Sequence, residues 1–127
     1  MGVSTQIRDV TREELVMLRF IEAVAVRLPD DDAVLKALGD LYTRAGFYAE
    51  GLDVDQRLSA LCPDEPMVLY NLGCSLALTG NADASLDTLK RAISLGYDDL
   101  AFMARDEDLR SLRELAEFRD ITGMDEA

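Results

Sequence analysis

The sequence predicts an all-α fold made of antiparallel helix pairs, and three observations predict it. Apolar residues recur at helical spacing, with no alternating strand pattern in competition. Residues that start and stop helices stand at the edges of those apolar runs. The chain also resembles itself at an offset of 34 residues, which is the signature of stacked helical hairpins. At that offset Leu35 meets Leu69, Leu38 meets Leu72, Gly39 meets Gly73 and Gly46 meets Gly80. Further along, Leu52 meets Leu86, Asp53 meets Asp87, Arg57 meets Arg91, Leu61 meets Leu95 and Asp64 meets Asp98. Pro29 stands the same distance before Pro63 and marks the end of an earlier half-repeat.

Each element follows in order. Thr11-x-x-Glu14 is a capping box, which predicts a first helix running to about Leu28. Leu15, Leu18, Phe20 and Ile21 give it an apolar stripe. The carboxylates of Asp30–Asp32 suit the N-terminus of a second helix, where they can cap and offset the dipole. From Ala33 to Ala45 the residues Val34, Leu35, Leu38, Leu41 and Tyr42 form one apolar face, and Gly46 ends the helix. A third helix over about Phe47 to Leu61 stops before Pro63. The same pattern repeats from Glu65 to Thr79, closed by Gly80, and from Asn81 to Leu95, closed by Gly96.

These residues resemble the tetratricopeptide repeat family. Its motif has a bulky apolar residue, Leu-Gly, a large residue three positions on, and a Gly at the turn between helices. A small residue, further apolar positions and a closing Pro follow. Leu35, Leu38-Gly39, Tyr42, Gly46, Gly51, Leu58 and Pro63 match it in one repeat; Leu69, Leu72-Gly73, Leu76, Gly80, Ser85, Leu89 and Ala92 match it in the next. Small residues at Gly39/Gly73 and Gly51/Ser85 allow close backbone approach where paired helices cross. Three positions depart from the motif: Asp55 takes a usually apolar place, Leu58 replaces Ala, and Tyr97 replaces the second closing Pro. The resemblance covers residues 30–98 and implies a right-handed superhelix of antiparallel helix pairs.

One domain over residues 1–127 is expected, with an N-terminal helix over 11–28, repeats over 31–64 and 65–98, and capping helices over 99–123. In the last segment Asp106–Asp108 cap a helix whose Leu109, Leu112, Leu115 and Phe118 cover the core. Gly123 ends it, and Met124–Ala127 are expected to fray.

Composition narrows the chemistry. Twenty-five acidic residues against thirteen basic ones leave a net charge of −12. That balance speaks against nucleic acid or an anionic membrane as partner, because phosphates are bound through clustered Lys and Arg. Histidine is absent, which removes the commonest general base and metal ligand at neutral pH. The carboxylate groups at Asp30–Asp32, Asp98–Asp99 and Asp106–Asp108 all sit at expected helix starts, and no phosphate-binding glycine loop is present. Cys62 and Cys74 fit no zinc spacing, and their places on consecutive helices put them beyond disulfide reach. No enzymatic activity, cofactor or metal is expected. The N-terminal residues hold no apolar run of signal-peptide length, and Gln6 stands where myristoylation after Gly2 needs Ser or Thr. With reduced thiols, a cytoplasmic location is expected.

Binding is the remaining role: a protein or peptide partner held in the concave groove that the resemblance implies. The candidate groove residues are Lys36, Asp40 and Thr43 in the first repeat, with Met67, Tyr70, Asn71 and Cys74 in the second. Tyr70 is the leading anchor, since an aromatic ring with a polar tip gives large contact area for little entropy; a half-buried packing role is the alternative. Some members of the family clamp a C-terminal carboxylate with Lys/Arg and Asn side chains. Lys36 and Asn71 match that clamp, but Asp40, Ala104 and Asp108 replace its donors and repel an anion. Two other roles stay open. One is a homodimer or assembly element joined through Leu15, Leu18, Ile21, Leu112, Leu115 and Phe118. The other is a small acidic secretion-type chaperone, suggested by the runs ALCPDEP and LGCSLALTG.

Overall fold

A computed structural model describes residues 10–124. The readings made on Gly2, Gln6 and residues 125–127 lie outside the described residues. Among those described every regular element is a helix and no strand occurs. No described helix is long and apolar enough to cross a membrane. The chain divides into two compact units, one ending at Cys62 and the other starting at Pro63.

The first unit holds α1 (Arg12–Arg27), α2 (Asp32–Ala45) and α3 (Tyr48–Leu61). The capping box forms as its residues dictate: Glu14 N–H donates to Thr11 Oγ1 at 3.0 Å, and Thr11 N–H donates to the Glu14 carboxylate at 2.9 Å. Asp31 caps α2 through Val34 N–H at 3.0 Å. Gly46 ends α2 with φ 89°, a left-handed conformation that costs a residue with a Cβ about 1 kcal/mol or more. The helices pack α1 on α2 and α2 on α3. Where α2 meets α3 the contact is close: a Cβ on Gly39 would lie 2.7 Å from an Asp55 carboxylate oxygen, and one on Gly51 would lie 2.8 Å from Thr43 Oγ1.

Within the second unit, α4 (Pro66–Leu78) and α5 (Ala82–Ser94) repeat that hairpin. Pro66 opens α4 at a position where its missing N–H is harmless. Gly73 is buried against α5, and a Cβ there would lie 2.6 Å from Leu89 Cδ2. Ser85 Oγ donates to the Gly73 carbonyl at 2.7 Å, so the small pair both permits the approach and ties it. Leu69, Leu86, Leu89 and Ala92 join Met103, Leu109, Leu112 and Phe118 in one apolar core.

Among the capping helices expected over 99–123, the one expected from Asp106 to Gly123 is broken in two. The segment holds a short α6 (Leu100–Arg105), a 3₁₀ helix over Glu107–Leu112 and α7 (Ala116–Thr122). The reason lies in the spacing of Leu109, Leu112, Leu115 and Phe118. Every interval is three residues, which suits three residues per turn and drifts off one face of an α-helix. Arg113 fixes the break by donating to the Ala104 and Asp106 carbonyls at 3.2 and 3.1 Å. Leu109, Leu112 and Phe118 are wholly buried as expected, whereas Leu115, extended before α7, is 38% exposed. Leu112 and Phe118 are therefore core residues and offer nothing to a second copy. Met124 is held rather than frayed, its N–H donating to the Arg119 carbonyl at 2.9 Å.

The stripe expected on α1 is also corrected. Only Leu18 is buried there, while Phe20 is 61% exposed and Val16 62%. Ile21, Val24 and Ala25 are half-buried, while Leu15, Val16, Met17, Phe20 and Val26 face outward.

A candidate site between α4 and α6

The seven groove candidates fall into different settings. In the first unit Lys36 and Asp40 are exposed on α2, in ion pairs one helical turn long: Lys36 with Asp32 at 3.8 Å and Asp40 with Arg44 at 3.0 Å. Such exposed pairs contribute about 0.3–0.5 kcal/mol. Thr43 is half-buried and faces α3, its hydroxyl directed at Gly51. The expectation that Thr43 points into an open groove is corrected, because the glycine opposite draws the two helices together on that side.

In the second unit Asn71 is exposed on α4. Met67, Tyr70 and Cys74 share one face at spacings of three and four residues. Met67 is 53% exposed, whereas Tyr70 and Cys74 are 3% and 5% exposed. Tyr70 and Cys74 are thus not open groove residues, because the segment after α5 covers them. Tyr70 stacks on Tyr97 with ring centres 4.4 Å apart and planes 6° from parallel. Its hydroxyl donates to Asp106 Oδ2 at 2.6 Å, and the Cys74 thiol reaches the same oxygen at 3.8 Å. The other oxygen, Oδ1, caps the 3₁₀ helix through Asp108 N–H at 3.0 Å. One carboxylate thereby ties α4 to the 3₁₀ helix.

Above this layer lies an open cleft of about 540 Å³, within the roughly 300–1,000 Å³ of typical ligand sites. Pro66, Met67 and Tyr70 of α4 form one wall. Tyr97, Asp98, Asp99 and Phe102 form the other. Phe102 is 42% exposed, with the Arg105 guanidinium 5.8 Å from its ring centre and its own ring 6.4 Å from Tyr70. Asp99 caps α6 through Phe102 N–H at 3.1 Å.

Charge settles what this cleft can do. Burial pushes the Tyr70 hydroxyl well above the ordinary phenol range, and Cys74 and the hydrogen-bonded Asp106 carboxylate add to it. Burial also raises the Tyr97 hydroxyl, with the Asp99 charge contributing. Both phenols are neutral across physiological pH, so they donate hydrogen bonds and present ring faces. Cys74, Asp106 and Asp108 bring three possible metal donors within 4.8 Å of one another. Both Asp106 oxygens already accept hydrogen bonds, so the carboxylate acts as an internal anchor.

The sequence missed Tyr97, Asp98, Asp99 and Phe102 as site residues. A signal was present at Tyr97, which stands where the first repeat has Pro63: a departure from the repeat marks a position with its own task. Against known proteins, the chain matches no family model and no curated protein.

Proposed function

We propose that this chain is a non-enzymatic interaction module of tetratricopeptide type, in which helix pairs present a surface to a peptide or protein segment. The observation that carries the reading is the open aromatic cleft on α4. It combines half-exposed Met67 and Phe102 with a buried floor, in which Tyr70 is bonded to Asp106 and stacked on Tyr97. Solvent-facing apolar side chains over a floor that is already ordered give contact area at a reduced ordering cost. The repeat reading is supported by contacts that recur at 34 residues: Arg57 donates to the Pro29 carbonyl at 2.8 Å, and Arg91 to the Pro63 carbonyl at 3.4 Å. Gly46 and Gly80 likewise share a left-handed turn, at φ 89° and 82°. A right-handed superhelix is the arrangement that such a period supports.

Affinity capture at physiological salt tests the function, comparing the wild type with a Met67→Asp/Phe102→Asp variant. Both side chains are exposed, so an unchanged circular dichroism spectrum should accompany the change. The reading requires protein partners that the variant loses. Partners retained in full by the variant, or turnover of a small substrate by a chain that captures none, would overturn it.

A second reading has its own observation. The outer face of α1 carries Val16, Met17 and Phe20, each at least 49% exposed, around a hollow of about 440 Å³. An apolar face of that kind suits self-association through α1. Sedimentation at tens of micromolar decides it: a monomer disposes of self-association and leaves the cleft as the working surface.

A further inference from the structure

The geometry points to a basic partner segment: the cleft takes a Lys or Arg side chain against the exposed Phe102 ring, with Asp98 and Asp99 holding its charge. This inference rests on the interaction reading and adds the chemistry of the partner. Three observations converge on it. The first is the lining, since Phe102, 42% exposed, offers a π-face that attracts a cation within about 6 Å of its ring centre, above the buried Tyr70–Tyr97 stack. Phe102 already holds one, because the Arg105 guanidinium of the same chain sits 5.8 Å from its centre. The second is the wall opposite, where Pro66 and Met67 provide apolar surface for the methylene stem of a long basic side chain. The third is charge. Asp98 is exposed at the rim, Asp99 stands beside it, and the whole chain carries −12. An acidic segment would bring a carboxylate against those aspartates, and an uncharged one would leave them without a counter-charge.

Arg105 is the opposing charge, and it gives the inference a second handle. It occupies a Phe102 face and repels an incoming cation, so its removal should strengthen binding while loss of the aspartates weakens it. General attraction to an acidic protein predicts the second effect but not its restriction to these two aspartates.

Methionine methyl labelling reads the site directly. The chain has five methionines; Met67 lines the cleft at 53% exposure, whereas Met103 is fully buried. Two peptides of equal length serve as probes, one alternating Gly and Arg, the other alternating Gly and Glu. The arginine peptide should shift the Met67 methyl signal saturably and leave Met103 in place, and the glutamate peptide should shift neither. Asp98→Asn/Asp99→Asn, whose amide oxygen at the second position can still cap α6, should weaken arginine-peptide binding about three- to tenfold. Arg105→Gln should tighten it. Asp83→Asn/Asp87→Asn removes the same charge from α5 and should change affinity less than about twofold, as for a screened surface charge.

The inference is overturned by a Met67 signal that stays put, by equal weakening in the two aspartate pairs, or by a Met67 shift with the glutamate peptide. Each of these leaves the interaction reading standing if captured partners still depend on Met67 and Phe102. Loss of that dependence, with the arginine peptide still shifting Met67, removes the interaction reading and keeps the cation site.

Discussion

The two helical hairpins share a pattern but differ in what covers them. In both, a leucine at the start of the first helix is buried (Leu35, Leu69), a glycine lies against the second helix (Gly39, Gly73), and an arginine closes on the carbonyl of a proline (Arg57, Arg91). On α2, only Leu35, Leu38, Gly39 and Ala45 are buried. On α4 burial is nearly continuous from Val68 to Ala77. There, α5 packs on one face and the 3₁₀ helix on another, with Tyr70 and Cys74 reaching Asp106. The repeat pattern thus specifies a hairpin, while the neighbouring segment decides how deeply it is buried. Coverage also makes the cleft, since Tyr97 and Phe102 belong to the covering segment.

The sharpest way to break this comparison is to remove an aromatic side chain from each unit. Phe118 is fully buried and Phe20 is 61% exposed. Phe118→Ala should cost about 3–5 kcal/mol in urea unfolding, as buried aromatics do. Phe20→Ala should stay within about 0.5 kcal/mol. Comparable losses would mean that α1 is covered as thoroughly as α7.

The glycine pair gives a smaller contrast. A Cβ at position 73 would press on Leu89 Cδ2 and Cγ at 2.6 and 2.8 Å, within a side chain that is wholly buried. At position 39 the tight neighbour is an Asp55 oxygen at 2.7 Å, the end of a buried side chain that has to turn aside, and Val54 lies at 3.4 Å. Overpacking costs about 1–3 kcal/mol, and the helix propensity of Ala returns about 1. Gly73→Ala should therefore destabilise by about 1–2 kcal/mol, with Gly39→Ala near neutral, as read from denaturant midpoints. A larger loss at Gly39 would show that Asp55 is held too firmly to move.

Hydroxyl removal comes next. Tyr70 donates to Asp106 in the core of its unit, and Tyr42 donates to Glu22 Oε2 at 2.5 Å in a partly exposed setting. Both acceptors are carboxylates, so the range is about 1.5–3 kcal/mol; Tyr70→Phe should fall within it, and Tyr42→Phe at or below its lower end, because solvent screens the partly exposed pair. Equal values from denaturant unfolding would make burial irrelevant to these bonds.

Much of this was legible in the residues. The capping box at Thr11, the cap at Asp31, the left-handed turns at Gly46 and Gly80 and the close crossing at Gly73 each follow from local chemistry, which a sequence displays. The cleft was legible only in part. Met67 and Tyr70 stood out by their place on α4, but their exposure depends on a segment more than thirty positions away, with Asp106 the partner of Tyr70. Nothing local to Tyr70 says that its hydroxyl is occupied. The 3₁₀ helix was written in the three-residue spacing of its leucines, a period easily taken for helical.

The smallest expected effect is on pH and belongs to the first unit. Burial works against the charged form of Glu22, but hydrogen bonds from Tyr42 and Arg19, aided by the Arg19 charge, outweigh it and hold the carboxyl below its ordinary value. A carboxyl lowered on folding binds its proton more readily when unfolded, so the folded state gains as pH rises. That gain is complete above the ordinary glutamate range, near about 4.3, and is lost as pH falls through the lowered value of Glu22. Protection against amide exchange along α1, taken relative to the unfolded-chain rate at each pH, should accordingly fall on acidification before that along α4 does. Glu22→Gln should flatten that acid limb for α1 and leave α4 unchanged. If α1 and α4 instead loosened together in acid and the Gln variant behaved like the wild type, the Tyr42–Glu22–Arg19 contact would not be what fastens α1 to α2. The attachment would then depend on apolar packing, with Leu18 wholly buried and Ile21, Val24 and Ala25 half-buried around it.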